Sequence, residues 1–412
     1  MTFLYSIFVH LLIFGMKVLS LFNDKTKKGV EGRRQSLNIV KSGFSKSDKV
    51  LWMHAASLGE YEQGLPVLEK LKENFPNHKI LITFFSPSGY ENVVKKEHIA
   101  DAVCYLPFDK KKTVKEFVSQ FDCELFFTVK YDYWYNLLAE LKDRNVKTFV
   151  ISALFYESQS FFTSYGKWFV RQLKQNITWF FHQTQHSYVL AKSIGLLNSS
   201  VTGDTRFDRV KHLKLRNNHV DFVEEFIGSK KTIVFGSSWQ SEEKIAKIIS
   251  EKNNDLKIII APHDLKRVGN LKEIFPEALL YSELKNSQVP ELSNSQILII
   301  DSIGLLSKLY FYADIAIVGG GFHDAGLHNI LEAATFGVPV FFGNQYKKNP
   351  EADGLISAKG GRSFEEENSA AKFVLNLIKD EKQLAEMSGN AEKFVAQQPD
   401  SSKLIIEKIL SL

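Results

Sequence analysis

A carboxylate in the position of a general base follows the first strand-like run of the chain. Residues 49–55 (KVLWMHA) predict a buried strand, and a helix is expected directly after them, which places Glu60 at the strand's carboxyl end. Layered α/β proteins bind their ligands at that end of a sheet. Ser57 and Glu60 also have the spacing of a capping box, in which the carboxylate accepts a hydrogen bond from the amide of the cap residue. The spacing alone leaves both roles open.

A glycine-rich turn in the second half of the chain has the residue types of a phosphate site. Residues 313–332 predict a strand, a turn and a helix that begins near His328. The turn contains Gly319, Gly320 and Gly321. Glycines let the backbone approach a ligand, and a helix N-terminus offers N–H groups and a positive dipole end. Asn329 and Glu332 would share one helix face, where Glu332 could bind ribose hydroxyls. The alternative is a plain tight turn with a solvated Glu332.

Polar and cationic side chains lie near the ends of other predicted strands. Ser237 and Ser238 follow the run KKTIVF, and His263 follows the run LKIIIAP. Hydroxyl and imidazole groups can donate hydrogen bonds to a phosphate, although both are also common at helix starts. Arg206, in the segment GDTRFDRV, is a candidate for binding an anionic ligand, and Lys130 at the end of CELFFTVK is a similar case. A solvated surface cation is the alternative for both.

These residues need a scaffold of alternating strands and helices. From residue 49 onward, short apolar runs alternate with longer amphipathic stretches, which is typical of parallel sheets covered by helices. A chain of 412 residues exceeds one hydrophobic core, so the pattern predicts two Rossmann-like α/β domains that face a central cleft. We expect an apolar anchor and basic linker over residues 1–35, an N-terminal domain over 36–203, a C-terminal domain over 204–380 and helices over 381–412.

The charge and the cysteine content exclude several classes of protein. The formal net charge is +5, and the Lys and Arg residues are spread along the chain rather than gathered in one block. Binding to nucleic acid is therefore not indicated. Cys104 and Cys123 are the two cysteines, and no metal-ligand spacing such as C-x-x-C occurs. This content argues against a disulfide framework or structural zinc and for a reducing compartment.

The N-terminal residues 3–22 are almost entirely apolar and are about as long as a membrane-spanning helix. Basic residues follow at once, among them Lys28 and Arg33, and they would keep the rest of the chain on the cytoplasmic side. No basic region precedes the apolar run, so a cleaved signal peptide fits poorly. Three possibilities remain: a spanning anchor, a helix that lies in the membrane interface, and an apolar helix buried in its own domain.

Taken together, these motifs resemble the 3-deoxy-D-manno-octulosonic acid (Kdo) transferase family, which has the two-domain glycosyltransferase fold called GT-B. The family's H-x-x-S-x-G-E motif is matched by residues 54–60, its G-G-H-N-x-L-E motif by residues 326–332, and its G-N-x-K-F-D motif by residues 203–208. The resemblance covers about residues 30–380. Two family motifs differ: E-T-E-x-W-P is replaced by residues 130–135 (KYDYWY), and R-H-P-x-R is reduced around residues 261–264 (APHD).

The resemblance implies a reaction and a location. A Kdo residue would pass from CMP-Kdo to a lipid A precursor (lipid IVA) with inversion, in lipopolysaccharide assembly. The N-terminal domain would bind the acceptor and the C-terminal domain the donor, and the enzyme would lie at the cytoplasmic face of the inner membrane. We expect no cofactor and no metal, and the sequence contains no D-x-D motif. As a simple tether, residues 1–22 could be removed without loss of turnover on a detergent-solubilised acceptor.

The resemblance also assigns roles to individual residues. Glu60 corresponds to the family's catalytic base, which would deprotonate an acceptor hydroxyl as that hydroxyl attacks the anomeric carbon. His328, Asn329 and Glu332 correspond to the cytidine-monophosphate site, and Arg206 takes the place of the usual Lys. The other expected substrate contacts are Ser57, Gly59, Ser237, Ser238, His263, Gly320 and Gly321.

Two other kinds of protein would fit the same pattern. One is another GT-B-like nucleotide-sugar enzyme, either a UDP-sugar transferase or an epimerase, which would prefer UDP to CMP. The other is a membrane-tethered two-domain binding protein, which would bind its ligand without forming a product and would not need Glu60.

Overall fold

The structure, a computed structural model, describes residues 1–284, 292–324, 326–347 and 349–412. Parallel strands alternate with helices in these residues, which confirms the predicted α/β class. The chain divides into two compact units. The first comprises residues 1–209 and 399–412, and the second comprises residues 210–398.

The first unit contains a seven-stranded parallel sheet with the strand order β3-β2-β1-β4-β5-β6-β7. Its strands are β1 (Lys49–Ala55), β2 (Lys79–Phe84), β3 (Ala102–Tyr105), β4 (Asp122–Val129), β5 (Lys147–Ala153), β6 (Trp179–His182) and β7 (Ser199–Val201). Its helices are α1 (Thr2–Leu19), α2 (Asp24–Gly43), α3 (Leu58–Asn74), α4 (Pro87–Val93), α5 (Lys111–Val118), α6 (Tyr135–Asp143), α7 (Lys167–Asn176) and α8 (Gln185–Ser193). Strands β1 and β4 are neighbours, so the residues that follow them meet at one edge of the sheet.

The second unit contains another seven-stranded parallel sheet, with the order β10-β11-β9-β8-β12-β13-β14. Helix α9 (Arg206–Leu213) leads into this unit. Its strands are β8 (Thr232–Ser238), β9 (Lys257–Pro262), β10 (Leu279–Leu280), β11 (Ile297–Ile299), β12 (Ile315–Val318), β13 (Val340–Gly343) and β14 (Gly361–Phe364). Its helices are α10 (Val223–Ile227), α11 (Gln240–Lys252), α12 (Val268–Ile274), α13 (Tyr281–Leu284), α14 (Leu306–Leu309), α15 (Leu331–Ala334), α16 (Pro350–Ser357), α17 (Glu367–Leu377) and α18 (Glu381–Ala396).

The last helix, α19 (Ser401–Ser411), packs against the first unit. The Asp208 carboxylate accepts hydrogen bonds from the amides of Ser401 (3.1 Å) and Ser402 (2.6 Å) and so caps α19. Ile405 and Ile409 are buried in the same apolar cluster as Leu71 of α3. The units therefore divide after Arg209 rather than after residue 203, and the two expected C-terminal helices belong to different units.

The segment expected to be a basic linker is the helix α2. The Asn23 side chain caps it by accepting a hydrogen bond from the amide of Thr26 at 2.9 Å. Arg33 is buried instead of facing a membrane: its guanidinium donates to the carbonyl of Phe85 at 2.6 Å and lies 4.5 Å from the centre of that ring. The linker prediction was wrong because few large apolar residues mark the buried face of α2.

Helix α1 is apolar on nearly every side. Within the described residues it is the helix long and apolar enough to cross a membrane by length and composition. One face of α1 packs against the rest of the first unit, where Val9 and Ile13 are buried. The opposite side exposes large apolar side chains, namely Phe3, Leu4, Ile7, Phe8, Leu11, Phe14, Val18 and Leu19.

Candidate active site

Glu60 lies in the first turn of α3, just beyond the carboxyl end of β1. Its Oε2 accepts hydrogen bonds from the amide of Ser57 at 2.9 Å and from the Ser57 hydroxyl at 3.3 Å. The capping contact weighed from the sequence is therefore present. Both bonds fall on Oε2, and a carboxylate has a second oxygen with lone pairs of its own. The capping role and a role in proton transfer are compatible.

The environment of Glu60 favours its protonated form. Burial raises the pKa of Glu60, although the charge of Lys130 acts in the opposite direction. The neighbouring Gly59 is exposed, and a Cβ added to it would have no atom within 4 Å. A carboxylate with a raised pKa beside open space has the features of a general base that a substrate can approach.

A histidine–carboxylate pair lies close to Glu60. His54, in β1, is fully buried, and its Nε2 lies 2.6 Å from Oδ2 of Asp132, which follows β4. The Nδ1 atom of His54 lies 3.0 Å from the hydroxyl of Thr83, in β2. The charge of Asp132 adds to the rise in the pKa of Glu60. In the sequence, Asp132 stands only in the segment that departs from a family motif, and no local pattern pairs it with His54.

The segment 203–208 makes hydrogen bonds and an ion pair within the first unit. The Arg206 guanidinium binds the buried carboxylate of Asp204, with Nη2 2.6 Å from Oδ2. Burial acts to raise the pKa of Asp204, but the charge and hydrogen bonds of Arg206, together with a hydrogen bond from Gln63, lower that pKa overall. Thr205 donates to the carbonyl of Gln63 in α3 at 2.6 Å. Arg206 is thus engaged in an ion pair, and its predicted contact with an anionic ligand stays a prediction.

The ends of strands β8 and β9 meet at Ser238 in the second unit. Ser237, at the end of β8, has φ +51°, in the left-handed region. The carbonyl of Ser238 accepts a hydrogen bond from the amide of His263 at 3.0 Å. Within the residues that the structure describes, the buried Ser238 hydroxyl and the indole Nε1 of Trp239 have no hydrogen-bond partner. Buried donors of this kind suit an anionic ligand.

The expected ligand residues His263 and His328 belong to one cluster of rings. His263 stacks on Trp239 with ring centres 4.5 Å apart and lies 4.6 Å from His328. His323, which the sequence analysis did not name, lies 4.6 Å from Trp239. Burial lowers the pKa of His328 to about 4, and His263 adds to this shift. Burial lowers the pKa of His263 as well, so His263 and His328 are neutral near pH 7 and can each donate one hydrogen bond.

The glycine turn is more compact than expected. A Cβ added to Gly321 would lie 2.7 Å from the amide nitrogen of Gly343, and one added to Gly320 would collide with the carbonyl of Gly326. Gly320 also has φ +91°, which favours glycine. These glycines are needed for packing between loops. Whether their backbone also contacts a ligand stays a prediction.

The helix predicted to begin near His328 begins at Leu331 and ends at Ala334. The Asn329 side chain accepts a hydrogen bond from the amide of Leu331 at 3.0 Å and donates to Glu332 at 3.2 Å. Asn329 and Glu332 are brought together, but not on the face of a long helix. A single turn has little dipole to offer a phosphate, so the predicted helix start was wrong, and binding of CMP at these residues stays a prediction.

A buried ion pair secures the loop that carries His263. Glu243, in α11, is 1% exposed at its side chain, and its carboxylate binds Arg267 through both oxygens, with Nε 2.8 Å from Oε1. This pair was not predicted from the sequence. Its signal was an Arg four residues after His263 and an acidic pair at the start of α11. Within the described ranges, no group of three or more His, Cys, Asp or Glu side chains is placed to hold a metal ion.

Comparison with known proteins agrees with this geometry. Residues 31–209 match a family model described as 3-deoxy-D-manno-octulosonic-acid transferase (kdotransferase). The 3-deoxy-D-manno-octulosonic acid transferase of Aquifex aeolicus is 28% identical over 330 residues, covering 80% of this chain and 85% of that protein. A bifunctional glycosyltransferase/methyltransferase of Fusobacterium nucleatum is 28% identical over 314 residues, which are 74% of this chain but 48% of that protein.

One solved structure shows the same fold. The UDP-GlcNAc 2-epimerase of Neisseria meningitidis has a TM-score of 0.62 at 16% identity, over 88% of this chain and 100% of that chain. The two parallel-sheet units and this likeness define a protein of the GT-B class, as predicted. Within that class, the chain is a glycosyltransferase that is similar to the Kdo transferases over most of its length.

Proposed function

We propose that this chain transfers Kdo from CMP-Kdo to a hydroxyl of a lipid A precursor, with Glu60 as the general base. The observation that carries the proposal is the partly buried Glu60 carboxylate, whose pKa is raised, at the carboxyl end of β1 and inside the region that matches the family. In the transfer, Glu60 takes the proton of the acceptor hydroxyl, the new bond forms at the anomeric carbon, and the bond to the CMP phosphate breaks. The base must come within ~2.6–3.2 Å of the hydroxyl.

The leaving CMP phosphate needs hydrogen-bond donors, and we assign it to the end of β8 in the second unit. The Ser238 hydroxyl and the Trp239 indole N–H are buried without a partner among the described residues. Neutral His263 and His328 stand beside them. A phosphate there would satisfy these donors, and charge-assisted hydrogen bonds are the stronger kind.

Replacing Ser238 by Ala is expected to weaken CMP binding by about tenfold or more, because a hydrogen bond to a charged group contributes ~1.5–3 kcal/mol. The fold should keep its stability, since the hydroxyl bonds no described residue. Calorimetric titration with CMP measures the effect, and titration with UDP tests nucleotide preference. Ser250→Ala, which removes a hydroxyl bonded to the carbonyl of Lys247, is the matched control. Unchanged CMP affinity in Ser238→Ala, or tighter binding of UDP by the parent, contradicts the assignment.

We further propose that α1 holds the enzyme at the cytoplasmic face of the inner membrane. Val9 and Ile13 are buried on the first unit, whereas Leu11 and Phe14 are among the exposed apolar residues of the helix (63% and 66%). A helix that is apolar on its exposed side can lie in the membrane interface. Helix α7, whose Trp168 and Phe169 rings contact Tyr5 of α1, also carries exposed cations that would attract anionic lipid, namely Lys167, Arg171 and Lys174.

The double variant Leu11→Ser with Phe14→Ser is expected to lose most of its binding to vesicles of anionic phospholipid. Each apolar side chain that enters a membrane contributes ~1.5–3 kcal/mol, so affinity should fall by at least about 100-fold. Flotation of the full chain with vesicles measures this. Leu215→Ser with Ile303→Ser, at positions that are 84% and 81% exposed outside α1, is the control. Equal loss in the control, or no loss in the α1 variant, shows that α1 is not the anchor.

A further inference from the structure

The residues between β4 and α6 carry part of the candidate active site. Lys130 directly follows β4 with φ +62°, in the left-handed region. Asp132 binds the buried His54, and the charges of Lys130 and Asp132 both act on the pKa of Glu60. We refer to residues 130–134 as the base loop, because its geometry sets the surroundings of Glu60.

The start of the base loop is held by its own strand and side chains. The Thr128 hydroxyl donates to the carbonyl of Asp132 at 3.2 Å, and the Tyr133 hydroxyl donates to the carbonyl of Lys130 at 3.0 Å. The Trp134 ring stacks on Phe85 with ring centres 5.2 Å apart. These contacts fix the loop as far as the start of α6.

The first turn of α6, which directly follows the base loop, is held by two groups from other elements. The buried carboxylate of Asp109 accepts hydrogen bonds from the amides of Asn136 and Leu137, both at 2.9 Å. The amide of Tyr135 donates to the hydroxyl of Tyr5 at 3.1 Å. That hydroxyl donates in turn to Asp109 at 2.6 Å. A side chain of the apolar helix α1 therefore completes the hydrogen bonds at the start of α6, directly after the base loop.

The rest of this contact between α1 and α6 is loose. A cavity of about 550 Å³ lies there, and both helices line it: Phe3 and His10 come from α1, and Ala139 and Asp143 come from α6. Tyr5 bridges the helices beside this cavity, and its ring lies edge-on to Tyr135 with ring centres 5.3 Å apart. The Tyr5 hydroxyl adds hydrogen bonds to this contact, as acceptor for the Tyr135 amide and donor to Asp109.

We infer that Tyr5 is a positioning residue for transfer: by binding Tyr135 and Asp109, it makes the docked helix α1 a support of the base loop as well as a membrane anchor. This inference rests on the proposed function of Glu60. It replaces the expectation that residues 1–22 are dispensable when the acceptor is in detergent, because a detached α1 would leave the Tyr135 amide without its acceptor. A shift of ~1 Å in a reacting constellation can lower a rate by up to ~100-fold.

The test uses the full chain with Tyr5→Phe, which removes the hydroxyl and keeps the ring. Turnover of a detergent-solubilised acceptor should fall by about 5- to 50-fold, which is less than the ~100-fold loss that a displacement of ~1 Å can cause. The KM for CMP-Kdo and the binding to vesicles should not change. Tyr165→Phe, at a 70% exposed position, is the control and should match the parent. Asp109→Asn should lower turnover as well, and the double variant should be no worse than the worse single variant, since both act through one contact.

Hydrogen exchange of the amides of residues 130–137 gives a second reading that does not depend on transfer. In Tyr5→Phe, these amides should exchange faster than in the parent, whereas the amides of strand β5 should exchange at the parent's rate. Tyr5→Phe with the turnover and exchange of the parent overturns the inference. A fall in vesicle binding equal to the fall in turnover also overturns it, because Tyr5 would then act only in anchoring. A parent protein that transfers no Kdo contradicts the proposed function instead, and exchange still decides whether Tyr5 orders the loop.

Discussion

Replacing Glu60 by Gln is expected to lower the turnover number for Kdo transfer by about 10²- to 10⁴-fold, the usual contribution of a general base. The amide oxygen of Gln can still accept the hydrogen bond from the Ser57 amide, so the cap of α3 remains. The fold should be no less stable near pH 7. Burial raises the pKa of Glu60 in the folded chain, so its ionised form opposes folding once the pH exceeds its ordinary pKa.

The pH dependence of transfer also tests whether Glu60 acts as the base. The base works when ionised, so kcat/KM of the parent should rise with pH through a pKa above that of an ordinary Glu. The variant should lack this rise. Circular dichroism and CMP titration show whether the variant is folded and binds its donor nucleotide. A folded Glu60→Gln protein with the parent's turnover would limit Glu60 to helix capping.

Replacing Arg267 by Ala is expected to destabilise the second unit by about 3–5 kcal/mol, because it leaves a buried carboxylate without its partner. Glu243 is 1% exposed at its side chain, and Arg267 binds both of its oxygens. The pair ties α11 to the loop that carries His263, so CMP affinity should fall as well.

Native-state hydrogen exchange of the β8 and β9 amides reports the opening free energy of this unit. Lys244→Ala is the control, since Lys244 pairs with Glu367 at 3.8 Å on the surface and such pairs contribute ~0–1 kcal/mol. A change below about 1 kcal/mol in Arg267→Ala would show that the Glu243 carboxylate finds other partners or water.

The sequence predicted most of the architecture because buried parallel strands are continuous apolar runs. The strands of each sheet that it missed, β7, β10 and β14, are two to four residues long and lie at sheet edges. Helix α2 was missed because its buried face contains the charged Arg33 and few large apolar residues. The helix after the glycine turn is shorter than predicted, because an Asn three residues before a Glu fits a turn as well as the start of a helix.

The candidate site was predictable only where its residues are close in sequence. Ser57 and Glu60 lie on one turn, so their spacing revealed both the cap and the carboxylate. His54 and Asp132 lie on β1 and after β4, and only the strand order makes them neighbours. The contact of Tyr5 with Tyr135 joins residues that lie 130 positions apart in the sequence. A local pattern carries no information on such long-range contacts.

Kdo transfer is tested most directly by incubating the full chain with CMP-Kdo and a tetra-acylated lipid A precursor in detergent, with and without EDTA. The lipid is then analysed by mass spectrometry. We expect release of CMP and a lipid product heavier by one or more Kdo residues, with and without EDTA. An unchanged lipid, together with turnover of a UDP-sugar by the same preparation, would contradict the proposed transfer.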